Sequence, residues 1–253
     1  MTQLERAIRS QPAELEQLAA HDLAPLAARL EGRRRVWLVG TGSSQHAAEL
    51  GALLLVEAGL DARWSGSSEF ARFVARPEPD DAVIVMSHTA STSFALAARE
   101  VAIASGALVA SITGIGGGWP ESIETVAMEQ SQTYTVSLTS MLMLLFRLAH
   151  ELGARGLSAS DLQVAIQRVR SVIEETDIPV VQPPNRALVL VGSGGGAVSA
   201  REGALKLREA ARILAEGYGS EYLLHGCAAP LDRGDTLLLL RTPNTMPLLG
   251  RAP

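Results

Sequence analysis

Apolar residues recur along this chain in two rhythms. Val36-Trp37-Leu38-Val39, Ala82 to Met86, Ala107 to Thr113 and Ala187 to Val191 are short, nearly unbroken apolar runs, the mark of strands buried on both faces. A shorter strand is expected near Ala62 to Trp64. Between the runs, apolar residues fall at three- and four-residue spacing. This predicts helices over Gln45 to Ala58 (closed by Gly59), Phe70 to Val74, the segment reaching Ala104, Val136 to Leu152, Ser158 to Thr176 and Val198 to Leu214. Up to Glu31, leucines and alanines at helical spacing, broken by Pro12 and Pro25, predict two helices ahead of Arg33-Arg34-Arg35.

Strand and helix therefore alternate, which implies an α/β fold of three layers with helices on both faces of a parallel sheet. After a proline-rich linker, Pro179 to Pro184, the pattern restarts. Ala187 to Val191 is followed by the turn Gly192-Ser193-Gly194-Gly195-Gly196 and a helix, and Thr236 to Leu240 resembles Ala82 to Met86. The expectation is two tandem units, the second incomplete. Residues 1–155 form the first with its N-terminal helices, 156–185 a connecting helix and linker, and 186–253 the truncated second.

Composition narrows the possible chemistry. Hydrophobic residues are 47% of the 253 and charged ones 19%, enough for a sizeable core. Aromatics are 4% and the net charge is -5, so neither base stacking nor a broad phosphate-backbone footprint is favoured, and nucleic acid is not an expected partner. Arg33-Arg34-Arg35 reads as a solvated strand entrance. The single cysteine, Cys227, excludes an internal disulfide and a cysteine-rich metal site. The charged N-terminus lacks an apolar signal region, and Met141 to Leu145 is too short to cross a bilayer, so a cytoplasmic protein without membrane attachment is expected.

Two turns carry the candidate chemistry. Gly40-Thr41-Gly42-Ser43-Ser44 follows the first long strand, and Ser87, Thr89, Ser91, Thr92 and Ser93 crowd the turn after Met86. Helix N-termini present unpaired N–H groups and the positive end of the dipole. Added hydroxyls suit a compact dianion such as a phosphate monoester, and the alternative is plain N-capping. If the two strands are neighbours, both turns converge at one end of the sheet. Dinucleotide binding is disfavoured because the first turn lacks the third glycine and neither has a well-placed acidic residue.

The helix Ala200-Arg-Glu-Gly-Ala-Leu-Lys-Leu-Arg-Glu-Ala-Ala211 holds the second signal. Ala200, Ala204, Leu207, Ala211 and Leu214 form its core stripe, while Glu202, Lys206 and Glu209 share another face. That ladder can be only a solvated face. Glu221-Tyr-Leu-Leu-His225-Gly226-Cys227 follows soon after. A histidine, a carboxylate and a lysine are the parts that aldose–ketose interconversion requires.

Glu202-Gly-Ala-Leu-Lys-Leu-Arg-Glu209, with His225-Gly226 downstream, resembles the double sugar-isomerase (SIS) domain family, as in the isomerase half of glucosamine-6-phosphate synthase. The resemblance runs from about Glu5 to Leu240 and implies the SIS fold. It implies that Ser43, Ser44, Ser87, His88, Thr89 and Thr92 bind phosphate, with His88 where the family has glutamine. Val136 and Thr139 are implied to close over the sugar, with Glu202 as a sugar contact. Glu209 is implied to move the proton, Lys206 to assist and His225 to open the ring from the other subunit of a homodimer with shared sites. No metal or organic cofactor is implied. Ala90 and Ser91 replace Gly-Glu of the phosphate loop, Ser140 a usual lysine and Cys227 a proline. A glutamine-hydrolysing region is lacking, so glutamine-dependent synthesis is not expected. These residues point to a phosphosugar isomerase or an aminosugar-phosphate deaminase. A non-catalytic sugar-phosphate sensor is the alternative.

Overall fold

Alternate residues of the central strands face opposite sides, and both sides are covered. In β1 (Val36–Gly40), Val36 and Leu38 join one buried cluster while Trp37 and Val39 join another. In β3 (Ala82–Ser87), Ala82, Ile84 and Met86 take the first side, Val83 and Val85 the second. This double burial is why the runs read as continuous apolar sequence. The computed structural model describes residues 1–73, 76–175 and 184–241. The chain divides into two units, Met1–Thr176 and Asp177–Pro253.

In the first unit, β2 (Ala62–Gly66), β4 (Leu108–Thr113) and β5 (Ser122–Glu124) complete a parallel sheet of order β2-β1-β3-β4-β5. Its helices are α1 (Gln3–Ala19), α2 (Ala24–Leu30), α3 (Ser43–Glu57), α4 (Ser67–Arg72), α5 (Ser93–Ala104), α6 (Val136–Glu151) and α7 (Ala159–Glu175). Residues of α1, α2, α3, α6 and α7 cover one face, and α4 and α5 the other. Leu162 and Ile166 bring α7 into the same core as α1 and α6.

Several expectations shift. Pro12 sits inside α1 and does not break it. Proline lacks the N–H that would bond the Ile8 carbonyl, and the Gln11 side-chain amide takes that carbonyl instead, at 3.0 Å. Pro25 does mark a boundary, in the first turn of α2 where its N–H is not needed. The helix expected over Phe70 to Val74 begins earlier, at Ser67, and Val74 lies outside the described residues. So does nearly all of the linker expected over Pro179 to Pro184, of which Pro184 alone is described.

The second unit repeats the first at its centre. The strands β6 (Leu188–Gly192), β7 (Ala215–Gly219) and β8 (Thr236–Leu239) pair parallel in the order β7-β6-β8, the same path as β2-β1-β3. The helix α8 (Gly195–Ala211) follows β6 as α3 follows β1. Gly42 and Gly194 share one backbone conformation, φ 59° and ψ -126° against φ 54° and ψ -129°, a region open in practice only to glycine. A Cβ on Gly40 would lie 2.3 Å from the Ser44 carbonyl oxygen, and one on Gly192 would lie 2.2 Å from that of Gly196. Only a strand ending in glycine lets the following helix start so close.

The helix expected over Val198 to Leu214 is therefore displaced toward the N-terminus. Arg212 adopts a left-handed conformation, φ 54° and ψ 36°, and ends it. Ala200 and Ala204 are buried as expected, but Ala211 and Leu214 are exposed. They fall at the point where the chain leaves the helix for β7, a strand its polar, glycine-containing sequence does not announce.

Candidate functional site

The chain leaves β1 for α3 on one face of the sheet and leaves β3 for α5 on the other. Because β1 and β3 are hydrogen-bonded neighbours, with Val39 opposite Val85, both helices start beside the crevice at the strand ends. A parallel sheet opens for ligands at such a switch point. Ser43 and Ser44 begin α3 there, while Ser87, His88, Thr89, Ala90, Ser91 and Thr92 lead into α5. The two turns thus stand side by side.

Neither helix start is closed by a side-chain cap. The N-cap residues are Gly42 for α3 and Thr92 for α5, and neither forms a side-chain capping hydrogen bond. The Ser44 hydroxyl reaches the Met141 sulfur at 3.7 Å, and Thr89 accepts from the Ser91 N–H at 3.4 Å. Ser87 is buried, Thr89 half-buried and Thr92 exposed. Ala90 holds φ at 52°, a left-handed conformation that glycine adopts with less strain. The turn therefore keeps a glycine-like bend with alanine in it.

Two features here escaped the sequence reading. Ser67, the first residue of α4 after β2, is 1% exposed and its hydroxyl has no hydrogen-bond partner. Gly66 lies beside Gly40 in register, which puts Ser67 next to the first turn. The recurrence of Gly-Ser followed by Glu and an aromatic, Gly66 to Phe70 and Gly219 to Tyr222, was the available signal. In the second unit Ser220, at the position matching Ser67, does find a partner, the Ser193 hydroxyl at 2.7 Å.

The other feature surrounds His88. Its ring is buried, accepts the Glu129 N–H at Nε2 over 3.2 Å, and meets the Tyr134 ring edge-on at 5.3 Å. Burial pushes the imidazole below its ordinary pKa, against the opposing pull of the Glu129 charge. The Glu129 carboxylate accepts the Thr135 and Ser137 N–H groups at the start of α6. Val136 is buried in the first turn of α6. Thr139 lies one turn on, with its hydroxyl on the Val136 carbonyl at 3.2 Å. Its side chain lines an apolar cavity of about 210 Å³ with Leu15, Leu142, Phe146 and Val169.

In the second unit, α8 brings three of the expected residues together. Lys206 Nζ lies 2.6 Å from Glu209 Oε2 and 3.6 Å from Glu202 Oε1. Glu202 is largely buried and Glu209 more exposed. Arg208 donates to the Ala215 carbonyl at 2.9 Å, tying the end of α8 to β7. His225 stands exposed in an irregular turn after β7, with Gly226 at φ 114° beside it. No group of three or more metal-binding side chains occurs among the described residues, and no helix among them is long and apolar enough to cross a membrane.

Together, the parallel sheets of five and three strands and their glycine-to-helix turns define an α/β protein with the sugar-isomerase (SIS) fold. No family model matches the chain. It is 29% identical over 233 residues to glutamine–fructose-6-phosphate aminotransferase [isomerizing] of Chlorobaculum tepidum, covering 85% of this chain and 38% of that protein. The C-terminal domain of glucosamine-fructose-6-phosphate aminotransferase from Francisella tularensis superposes with a TM-score of 0.76 at 17% identity, over 99% of this chain and 78% of that one. Glucosamine-6-phosphate deaminase from Thermotoga maritima gives 0.76 at 18%, over 99% and 80%. The chain thus has the fold of SIS-domain structures and resembles the isomerase region of the aminotransferase, and it spans 38% of the length of such curated relatives.

Proposed function

We propose that this protein binds a phosphosugar of the glucosamine 6-phosphate or fructose 6-phosphate type and acts on its open-chain form, as an isomerase or an aminosugar-phosphate deaminase. The observation that supports this most directly is the pair of uncapped helix starts on neighbouring strands β1 and β3. A phosphate dianion at that crevice would accept hydrogen bonds from helix N–H groups and turn hydroxyls, stabilised by two helix dipoles. Ser43, Ser44, Ser87, Thr89 and Thr92 form this cradle in the first unit.

The resemblance assigns the acid–base role to residues of α8 and of the turn after β7. His225 passes a proton from the anomeric hydroxyl to the ring oxygen, and the bond between that oxygen and the anomeric carbon breaks to leave the open-chain carbonyl. The Glu209 carboxylate removes the C2 proton and returns it to C1, while a proton passes between the oxygens, so the step consumes none overall. Lys206 Nζ, 2.6 Å from Glu209 Oε2, holds that carboxylate in place. With an amine at C2, the same shift leaves a ketose imine, and water then releases ammonia and the ketose. The scheme uses no metal or organic cofactor. It assigns Glu202 to the sugar, and Val136 and Thr139 to the segment that closes over it. The resemblance supports a cytoplasmic homodimer in which His225 is delivered across the subunit contact.

Incubation with glucosamine 6-phosphate and with fructose 6-phosphate, assaying ammonia and sugar interconversion, tests this. Conversion is expected. Binding by thermal shift without conversion supports a sensor instead, and no binding of any hexose phosphate overturns both readings.

A further inference from the structure

His88 opens the second hydroxyl turn, yet its ring is 5% exposed. A Cβ on Gly114 would lie 2.7 Å from His88 Cε1, so the ring occupies the space that a side chain at 114 would need. Nε2 accepts the Glu129 N–H, which requires the neutral ring to carry its proton on Nδ1. Glu129 then uses both carboxylate oxygens to close the start of α6. It accepts from the Thr135 N–H at 2.9 and 3.0 Å, the Ser137 N–H at 2.8 Å and the Thr135 hydroxyl at 3.4 Å. Thr135, the N-cap residue, forms no side-chain cap of its own. A continuous chain of hydrogen bonds therefore runs from the turn after β3 to the first turn of α6.

We propose that His88 is a positioning residue: as the Nδ1–H tautomer it holds Glu129, and through it sets the start of α6 against the Ser87–Thr92 turn so that the two act as one anion-binding unit. This rests on the reading of that turn as a phosphate cradle. Leucine at 88 fills similar space but offers no acceptor. Glutamine offers an amide oxygen that reaches for the same N–H.

Heteronuclear NMR of the unliganded full chain tests the tautomer without any substitution, and an Nε2–H ring overturns the proposal. In His88→Leu, exchange of the Thr135 and Ser137 amides is expected to rise about tenfold and fructose 6-phosphate binding by calorimetry to weaken about tenfold. His88→Gln is expected to bring both back to within about threefold of the parent. Equal binding and protection in His88→Leu overturns the inference while the cradle reading stands. Absence of phosphosugar and inorganic phosphate binding in the parent protein overturns the cradle reading and this inference together. If His88→Leu does not fold, His88→Gln with the tautomer still decides: loss of amide protection in that variant overturns the proposal.

Discussion

Arg34 grips Asp81 through two hydrogen bonds of 2.9 Å each, joining the entrance of β1 to that of β3. Asp81 also accepts the Glu78 N–H at 2.9 Å. The second unit repeats the device. Arg186 pairs with Asp235 through Nε and Nη2, and Asp235 accepts the Asp232 N–H at 2.9 Å, three residues back as before. The tandem repeat therefore extends from strand order to an individual ion pair. It also accounts for Arg34 within the basic run, since its charge faces Glu78, Asp80 and Asp81.

Burial by itself would raise the Asp81 carboxyl, but the Arg34 hydrogen bonds, the Glu78 N–H and the charges of Arg34 and Arg35 together outweigh it and hold the group below its ordinary value of 3.8. The resulting stabilisation is complete above that value and is lost as pH falls below it, through the lower folded-state pKa. Asp81→Asn is expected to cost about 2 kcal/mol near neutral pH, the scale of a hydrogen bond to a charged group. In urea unfolding measured against pH, the difference from the parent should shrink on acidification. A constant difference throughout would show that the carboxylate's charge is not what matters.

The cradle predicts which hydroxyls carry affinity. Ser87→Ala and Thr92→Val each remove a donor to a charged phosphate, expected to weaken fructose 6-phosphate binding about tenfold or more. Ser199→Ala, whose hydroxyl bonds its own helix at the Gly195 carbonyl, serves as the control. Calorimetry on the three variants separates them.

For Glu209, a neutral amide keeps the shape but cannot take a proton. Glu209→Gln is expected to lower kcat by roughly a hundredfold to ten-thousandfold while leaving substrate affinity within a few-fold. His225→Asn should slow turnover of the cyclic sugar far more than that of a substrate already open. Steady-state rates with both substrate forms test the assignment.

Ala90 gives a prediction about strain. With φ at 52° and little exposure, it occupies a conformation that a β-branched residue resists strongly. Ala90→Val is expected to cost about 2 kcal/mol or more, from strain and crowding together. Ala90→Gly should stay within about 1 kcal/mol of the parent, since relief of strain offsets the added freedom of the unfolded chain. Thermal unfolding distinguishes the two, and equal stability of valine and glycine at this position would sink the assignment of the turn.

Much of this was legible along the chain because it depends on local periodicity. Strands buried on both faces must be apolar throughout, so β1, β3, β4 and β6 stood out. A helix turns 100° per residue, which was enough to place Glu202, Lys206 and Glu209 on one face. Elements whose stability comes from neighbours were not legible. β7 contains Gly217, where a Cβ would lie 2.4 Å from the Ala200 carbonyl oxygen. Close packing by α8, and not strand propensity, makes that segment a strand.

From residue order alone came the three-layer class and the hydroxyl turns, which arise from spacing within a dozen residues, and the repeat, in which the same short pattern is met twice. Tertiary structure decided that β1 and β3 are neighbours, so that their turns share a crevice. It also turned His88 inward to meet Glu129, 41 residues away. Contacts between segments so distant in the chain leave no periodic trace, because they depend on how the sheet is ordered and which loop lies across its end.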